Sequence, residues 1–308
     1  MLAPIVLFAY KRPDHVRRTL QALESNALAG DSELFIFADG PKDNADHATL
    51  DRIGQVREVI RQPWKFGAVH LREKNTNNGL ANHVIHGVSE LVGRYGKVIV
   101  LEDDLVTANG FLTYMNAALA AYAHEPQVMQ ISGYQFPLTF PSRTPCTFFL
   151  PFSTSWGWGT WKRAWDCFDP QATGWEVLKS DAAMRRRFDL DGSQGFYDML
   201  RAQMELGSID AWDIRWWWSV FRRGGLVLYC QRSLVRNIGF DEFATHTTTG
   251  NRFVHTQLVL QDRFDMPAVA EIDTDAYAIV RRWLATPEPS GRPLNRIRDW
   301  LARRLRPS

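Results

Sequence analysis

Lys97–Leu105 reads KVIVLEDDL, and this stretch decides the fold. Val98, Ile99, Val100 and Leu101 run without interruption into Glu102, Asp103 and Asp104. A short β-branched apolar run bounded by polar residues is the pattern of a buried strand in a parallel sheet. Acids at its carboxyl end then stand where open α/β sheets bind their ligands. Adjacent anions repel, so burying them calls for a cation. Mg²⁺ and Mn²⁺ prefer oxygen ligands and often take only one or two from protein, the rest coming from phosphate and water. The bland alternative is a strand that ends in a solvated acidic turn, and the rest of the chain has to decide.

Toward the N-terminus the pattern alternates. Ile5–Tyr10 is a strand candidate, and Pro13 suits the first turn of a helix whose apolar face is Val16, Leu20 and Leu23. Glu33–Ala38 is a second strand, stopped by Asp39-Gly40-Pro41, and a helix pattern follows to about Arg61. Ala68–Leu71 is a short third strand. After the break at Asn77-Asn78-Gly79, Leu80, Val84, Val88 and Leu91 mark another amphipathic helix. This β-α order predicts a parallel sheet with right-handed crossovers. It contains neither GxGxxG nor GxxxxGK[ST], so no dinucleotide site or P-loop is indicated.

Toward the C-terminus, Phe111–Ala123 reads as a helix and Val128–Ser132 as a strand. Ser153–Trp165, STSWGWGTWKRAW, reads as an irregular loop with aromatic walls. A helix begins near Trp212, Leu226–Tyr229 reads as an edge strand, and Asn237–Gly250 is turn-rich and polar. Pro287–Gly291 is a linker. Beyond it, Leu294, Ile297, Leu301 and Leu305 lie at helical spacing among arginines, the pattern of an interfacial helix or of one docked on the body. The expected organisation is a nucleotide-binding half (1–105), a second half (106–286) and a basic amphipathic tail (287–308).

Composition sets the bounds. The 308 residues are 45% hydrophobic and 23% charged, ordinary for a globular protein with a large core. No apolar run reaches the roughly 18–20 residues that span a bilayer. The opening PIVLFAY is too short, and too uncharged in front, for a signal peptide. Cys146, Cys167 and Cys230 are widely spaced and odd in number, which fits a reducing cytoplasm. Residues 281–308 hold eight arginines against Glu288 and Asp299, so the formal charge of +2 conceals a mildly acidic body and a basic tail. That is not the balance of a nucleic-acid-binding domain.

Five blocks stand out in order: AYKR (9–12), ADG (38–40), GLANH (79–83), LEDDL (101–105), and WGWGT (156–160) paired with WD (212–213). Together they resemble the GT-A class of nucleotide-sugar-dependent glycosyltransferases, and more narrowly the inverting β-1,2-N-acetylglucosaminyltransferase family and related bacterial sugar transferases. The resemblance spans roughly residues 4–250. It implies a Rossmann-like α/β sheet continuous with an acceptor-binding half. It also implies a donor such as a UDP-sugar, a glycan or lipid-linked acceptor, a Mn²⁺ or Mg²⁺ cofactor, and a place in bacterial surface polysaccharide synthesis, cytoplasmic or peripheral on the inner membrane face.

Carried over residue by residue, the resemblance makes Asp104 the direct metal ligand, with Glu102 and Asp103 completing the motif. Arg12 and Asp39 would hold the nucleoside, and His83, near a helix N-terminus, the phosphates. Asp39 could instead close a turn with Gly40-Pro41, and His83 could be a packed histidine, with His86 one turn later as the contacting residue instead. Trp158 and its neighbours would offer platforms for sugar rings, or else be core aromatics. His246 could be a third metal ligand, a diphosphate contact or a turn residue. Asp213 would be the base that deprotonates the acceptor, since an inverting displacement needs one base and no enzyme nucleophile. Asp210 is expected to cap the helix that follows. The rivals are a sugar-1-phosphate nucleotidyltransferase, which should carry a Gly-rich loop where this chain has AYKRPDH, and a non-catalytic carbohydrate-binding protein on the same fold.

Overall fold

The computed structural model describes residues 1–141, 145–207, 210–240, 253, 256–259, 261 and 263–286. The first half follows the expected alternation: β1 (Ile5–Ala9), α1 (Pro13–Glu24), β2 (Glu33–Ala38), α2 (His47–Ile60), β3 (Ala68–Glu73), α3 (Leu80–Tyr95) and β4 (Lys97–Glu102). β5 (Leu105–Thr107), α4 (Phe111–Ala121), β6 (Val128–Ser132), β7 (Thr147–Leu150) and β8 (Trp158–Trp161) come next. Short helices α5 (Lys162–Trp165), α6 (Val177–Ser180), α7 (Ala182–Phe188) and α8 (Phe196–Met204) lead to α9 (Trp212–Arg222). The described chain closes with β9 (Leu226–Cys230), β10 (Val235–Asn237) and α10 (Thr274–Ala285).

Eight strands form one sheet in the order β3-β2-β1-β4-β8-β6-β9-β7. β3, β2, β1 and β4 are mutually parallel, the Rossmann-like half of a mixed α/β fold. β1 and β4 are buried along the core of the sheet, and Val98–Leu101 are at most 1% exposed, so the apolar run of the opening stretch is the central strand expected. Register pairs Ala9 with Ala38 and Phe8 with Glu102. The residues just beyond β1, β2 and β4 therefore leave the sheet on one edge, and that edge carries the site.

The second half departs from expectation at three places. Trp158–Trp161 is a strand, not loop: β8 runs antiparallel between β4 and β6. Glycine here permits close approach, because a Cβ on Gly159 would lie 2.8 Å from Met115 and 3.1 Å from the Val98 carbonyl. β9 is internal, paired with β6 on one side and β7 on the other, rather than an edge strand. β7 and α10 are absent from the sequence reading, although Ala276, Val280 and Leu284 recur at helical spacing behind an Asp273 cap in α10. The tail, residues 287–308, lies outside the described residues. Among the described residues no helix is long and apolar enough to cross a membrane.

Candidate active site

The acidic turn after β4 is built around an arginine. Arg12, the residue before α1, bonds Asp103 through Nη2, and the same nitrogen donates to Asp104 Oδ2 at 3.0 Å. Asp103 is 4% exposed; its other oxygen takes the Tyr10 N–H at 3.4 Å, and its carbonyl takes the Thr19 hydroxyl at 2.8 Å. Burial raises the Asp103 pKa; Arg12 pulls it back down and Asp104 pushes it up again. For Arg12, burial alone would lower the pKa, but the charges and hydrogen bonds of the two aspartates outweigh it and hold the guanidinium charged. Arg12 therefore serves as counter-ion to the acidic turn. Its guanidinium is engaged by both aspartates, and its side chain remains 28% exposed.

Hard carboxylate oxygens suit Mg²⁺ or Mn²⁺. Among the described residues no group of three His, Cys, Asp or Glu side chains converges on a metal position. Such a cation would take one or two ligands from the turn, Asp104 and Glu102 being its candidates, and the rest from substrate oxygens. His246 lies outside the described residues.

Asp39 spends its acceptor capacity locally. It is 5% exposed and takes the Gly40 N–H at 3.0 Å, the Asn77 side-chain amide at 2.9 Å and the Asn78 N–H at 3.0 Å. It ties the loop before α3 to the end of β2, closer to the turn alternative than to a free nucleoside acceptor. His83 is 4% exposed, its Nδ1 3.6 Å from Asp39, its ring edge-on to Phe8 and Phe37. Burial lowers its pKa against the pull of Asp39. An enclosed imidazole whose charged form is disfavoured by burial fits the packed-histidine alternative.

The other wall is aromatic. Trp158 is fully buried and stacks on Trp212 with centroids 5.1 Å apart and planes 21° apart. It has no face open to a ligand, whereas its neighbour Trp156 is only half-buried. Trp156, Phe136, Trp216, Phe240, Gln194 and Asp213 line a cavity of about 230 Å³. Asp213 is half-buried in the first turn of α9, one oxygen on the Ile214 N–H at 2.9 Å. Asp210 does not cap α9: the capping position is Ala211, without a side-chain cap, and Asp210 instead pairs with Arg215 at 3.0 Å.

Three residues that sequence left inside a turn-rich segment join these walls. The Ile238 N–H donates to the Asp104 carbonyl at 2.8 Å, and a Cβ on Gly239 would fall on the Asp104 carboxylate and lie 3.0 Å from Arg12 Nη1. Phe240 lines the cavity with Asp213. Consecutive Cα atoms are about 3.8 Å apart, so the acidic turn and the Asp213 cavity adjoin across one peptide. The signal was the single glycine in NIGF, which only a contact partner makes meaningful.

No protein-family profile matches the chain, the narrower family of the resemblance included, and no curated protein matches it. Among solved structures it is similar to the crystal structure of S. aureus TarS, with 11% identity and a TM-score of 0.39 over 82% of this chain and 38% of that one. A structure of S. aureus TarS 1-349 gives 14% identity and a TM-score of 0.31 over 50% of this chain and 42% of that one. The chain thus spans less than half the length of either, and a likeness at this level assigns no residue of the site.

Proposed function

We propose that the protein is an inverting glycosyltransferase that moves a sugar from a nucleoside diphosphate, such as UDP, to a hydroxyl acceptor, in the synthesis of a surface glycan or glycoconjugate. What supports it is the junction just described: an acidic turn at the carboxyl ends of parallel strands, one peptide away from a cavity lined by the Asp213 carboxylate. The donor lies across the ends of β1, β2 and β4. Asp39, with Asn77 and Asn78, shapes the loop that faces it. Arg12 fixes the rotamers of Asp103 and Asp104, so Asp104 is presented in one orientation. Asp104 and Glu102 would hold Mg²⁺ or Mn²⁺, which when bound offsets charge on the departing diphosphate. On the opposite side Asp213 takes the proton from the acceptor hydroxyl as that oxygen attacks the anomeric carbon on the face away from the diphosphate.

A thermal-shift screen of UDP-, GDP- and dTDP-sugars, with and without Mn²⁺, tests this; a donor at 100 times its Kd stabilises by about 2.7 kcal/mol. Hydrolysis of the stabilising donor separates an enzyme from a carbohydrate-binding protein on the same fold. Asp104→Asn should remove the metal-dependent part of the shift while leaving the protein folded. Metal-dependent donor affinity unchanged in that variant would sink the ligand assignment.

A further inference from the structure

The cavity beside Asp213 is built for something less polar than a sugar ring. Its aromatic walls are closed off at their polar edges. The Trp216 indole N–H donates to Gln130 Oε1 at 2.6 Å, and that of Trp217 to the Phe188 carbonyl at 3.2 Å. Thr154 and Ser132 share a hydrogen bond of 2.8 Å, and the Thr154 carbonyl takes the Gln130 amide at 2.7 Å. These groups are turned away from the space they enclose. Asp213, Gln194, Ser153 and Ser155 remain as the polar part of the lining. A buried sugar ring presents several hydroxyls, and each one left unpaired costs about 1–3 kcal/mol. One carboxylate and three neutral polar side chains in an otherwise largely aromatic and aliphatic lining can receive a hydroxyl-bearing edge, not a whole ring.

We propose that the cavity receives an apolar group carried by the acceptor next to the hydroxyl that is glycosylated, a proposal that rests on the glycosyltransferase assignment only for the word acceptor. Size agrees. The cavity of about 230 Å³ exceeds the roughly 150 Å³ that houses a benzene molecule in an apolar protein cavity. It therefore has room for an aryl ring with a substituent or for several methylenes of a folded chain. Phe136, Phe196, Met199 and Leu284 supply the apolar surface against which such a group packs. The acceptor hydroxyl then stays at the mouth with Asp213, and the apolar group acts as the anchor that sets its depth.

Calorimetry on the full chain without donor reads this directly. The probes are methyl, phenyl and octyl β-glucosides, the last below its micelle-forming concentration. Each buried methylene is worth about a fourfold gain in affinity. Octyl glucoside should therefore bind roughly a hundredfold tighter than methyl glucoside if three or four methylenes enter. A phenyl glucoside that exceeds octyl identifies an aromatic anchor; octyl above phenyl identifies a chain. Ser153→Phe, or Ser155→Trp should the first fail to fold, fills the space and should erase the difference while the melting curve stays cooperative. Equal affinity for all three glucosides in the unaltered protein overturns the proposal, as does a preference that survives a folded, filled variant. Donor binding is scored separately by thermal shift. A protein that binds donor without a glucoside preference refutes the anchor, and one with the preference but no donor binding refutes only the enzymatic assignment.

Discussion

Replacing Arg12 by Met tests the centre of the donor side. Its guanidinium is shared by two carboxylates whose side chains are 6% and 13% exposed, while Arg12 itself is 28% exposed. Removing one partner of a buried pair typically costs about 3–5 kcal/mol, because the other charge is left without compensation. The partial exposure of Arg12 lets water reach the vacated position, so the low end applies: a loss of about 3 kcal/mol is expected. Asp103→Asn keeps the shape and the acceptor for the Tyr10 N–H but gives up a charge-assisted bond while relieving repulsion with Asp104, for a loss of about 1 kcal/mol. The double variant Arg12→Met, Asp103→Asn no longer strands an ion on the buried position. Its loss should be about 2 kcal/mol, not the sum, which leaves a coupling of about 2 kcal/mol. Equilibrium urea unfolding of the four proteins reads this. Losses that add to within about 0.5 kcal/mol would mean that Arg12 does not hold Asp103, and the counter-ion argument would fail.

Asp213→Asn should lower kcat by roughly 10²–10⁴-fold, the usual scale for losing a general base, with donor affinity unchanged; near-normal turnover would move the base to another residue. Gly239→Ala puts a Cβ against the Asp104 carboxylate, so it should weaken metal-dependent donor binding, read by calorimetry, at a stability cost of about 1–3 kcal/mol. Burial first, then Asp198, raise the Asp189 carboxyl to about 6 against the pull of the Tyr197 and Phe196 N–H groups. The folded state therefore binds the proton more tightly than the unfolded one, and stability falls as pH rises from about 4, the ordinary carboxyl value, to about 6. Asp189→Asn keeps an acceptor for the Tyr197 N–H and should melt higher than the parent at pH 8, with the gap closing by pH 4; a gap independent of pH would contradict the assignment.

The fold was legible where burial and period coincide. Glu33–Ala38 and Val128–Ser132 are strands with the bounds read from sequence, because a β-branched or aromatic run flanked by turn residues has one physical outcome in a sheet covered on both faces. Trp158–Trp161 failed for the opposite reason. Glycine and tryptophan have no shared local preference, and WGTW is a strand only because β4 and Met115 leave room for Gly159 and none for a side chain. That information sits in the partners, and single-chain periodicity does not contain it.

The site divides along the same line, and the division explains which residues kept their expected places. A run of three acids at a strand end announces charge that must be balanced, and the structure balances it; sequence could not say that the balancing group is Arg12, since the pair is 91 residues apart. Asp39 and His83 were read as ligand contacts because they end a strand and begin a helix beside the same edge. Strand ends must also be tied to the loops that follow them, and a carboxylate that accepts N–H groups from Gly40, Asn77 and Asn78 does this first. These bonds make the edge rigid, so a ligand placed on it finds Asp104 and the α3 loop already oriented and spends little of its binding energy on ordering them. Asp213 differs from Asp39 in this respect. Of the protein N–H groups among the described residues, its carboxylate takes only that of Ile214, its own neighbour, and it faces a cavity, which leaves acceptor capacity for a proton brought by something else.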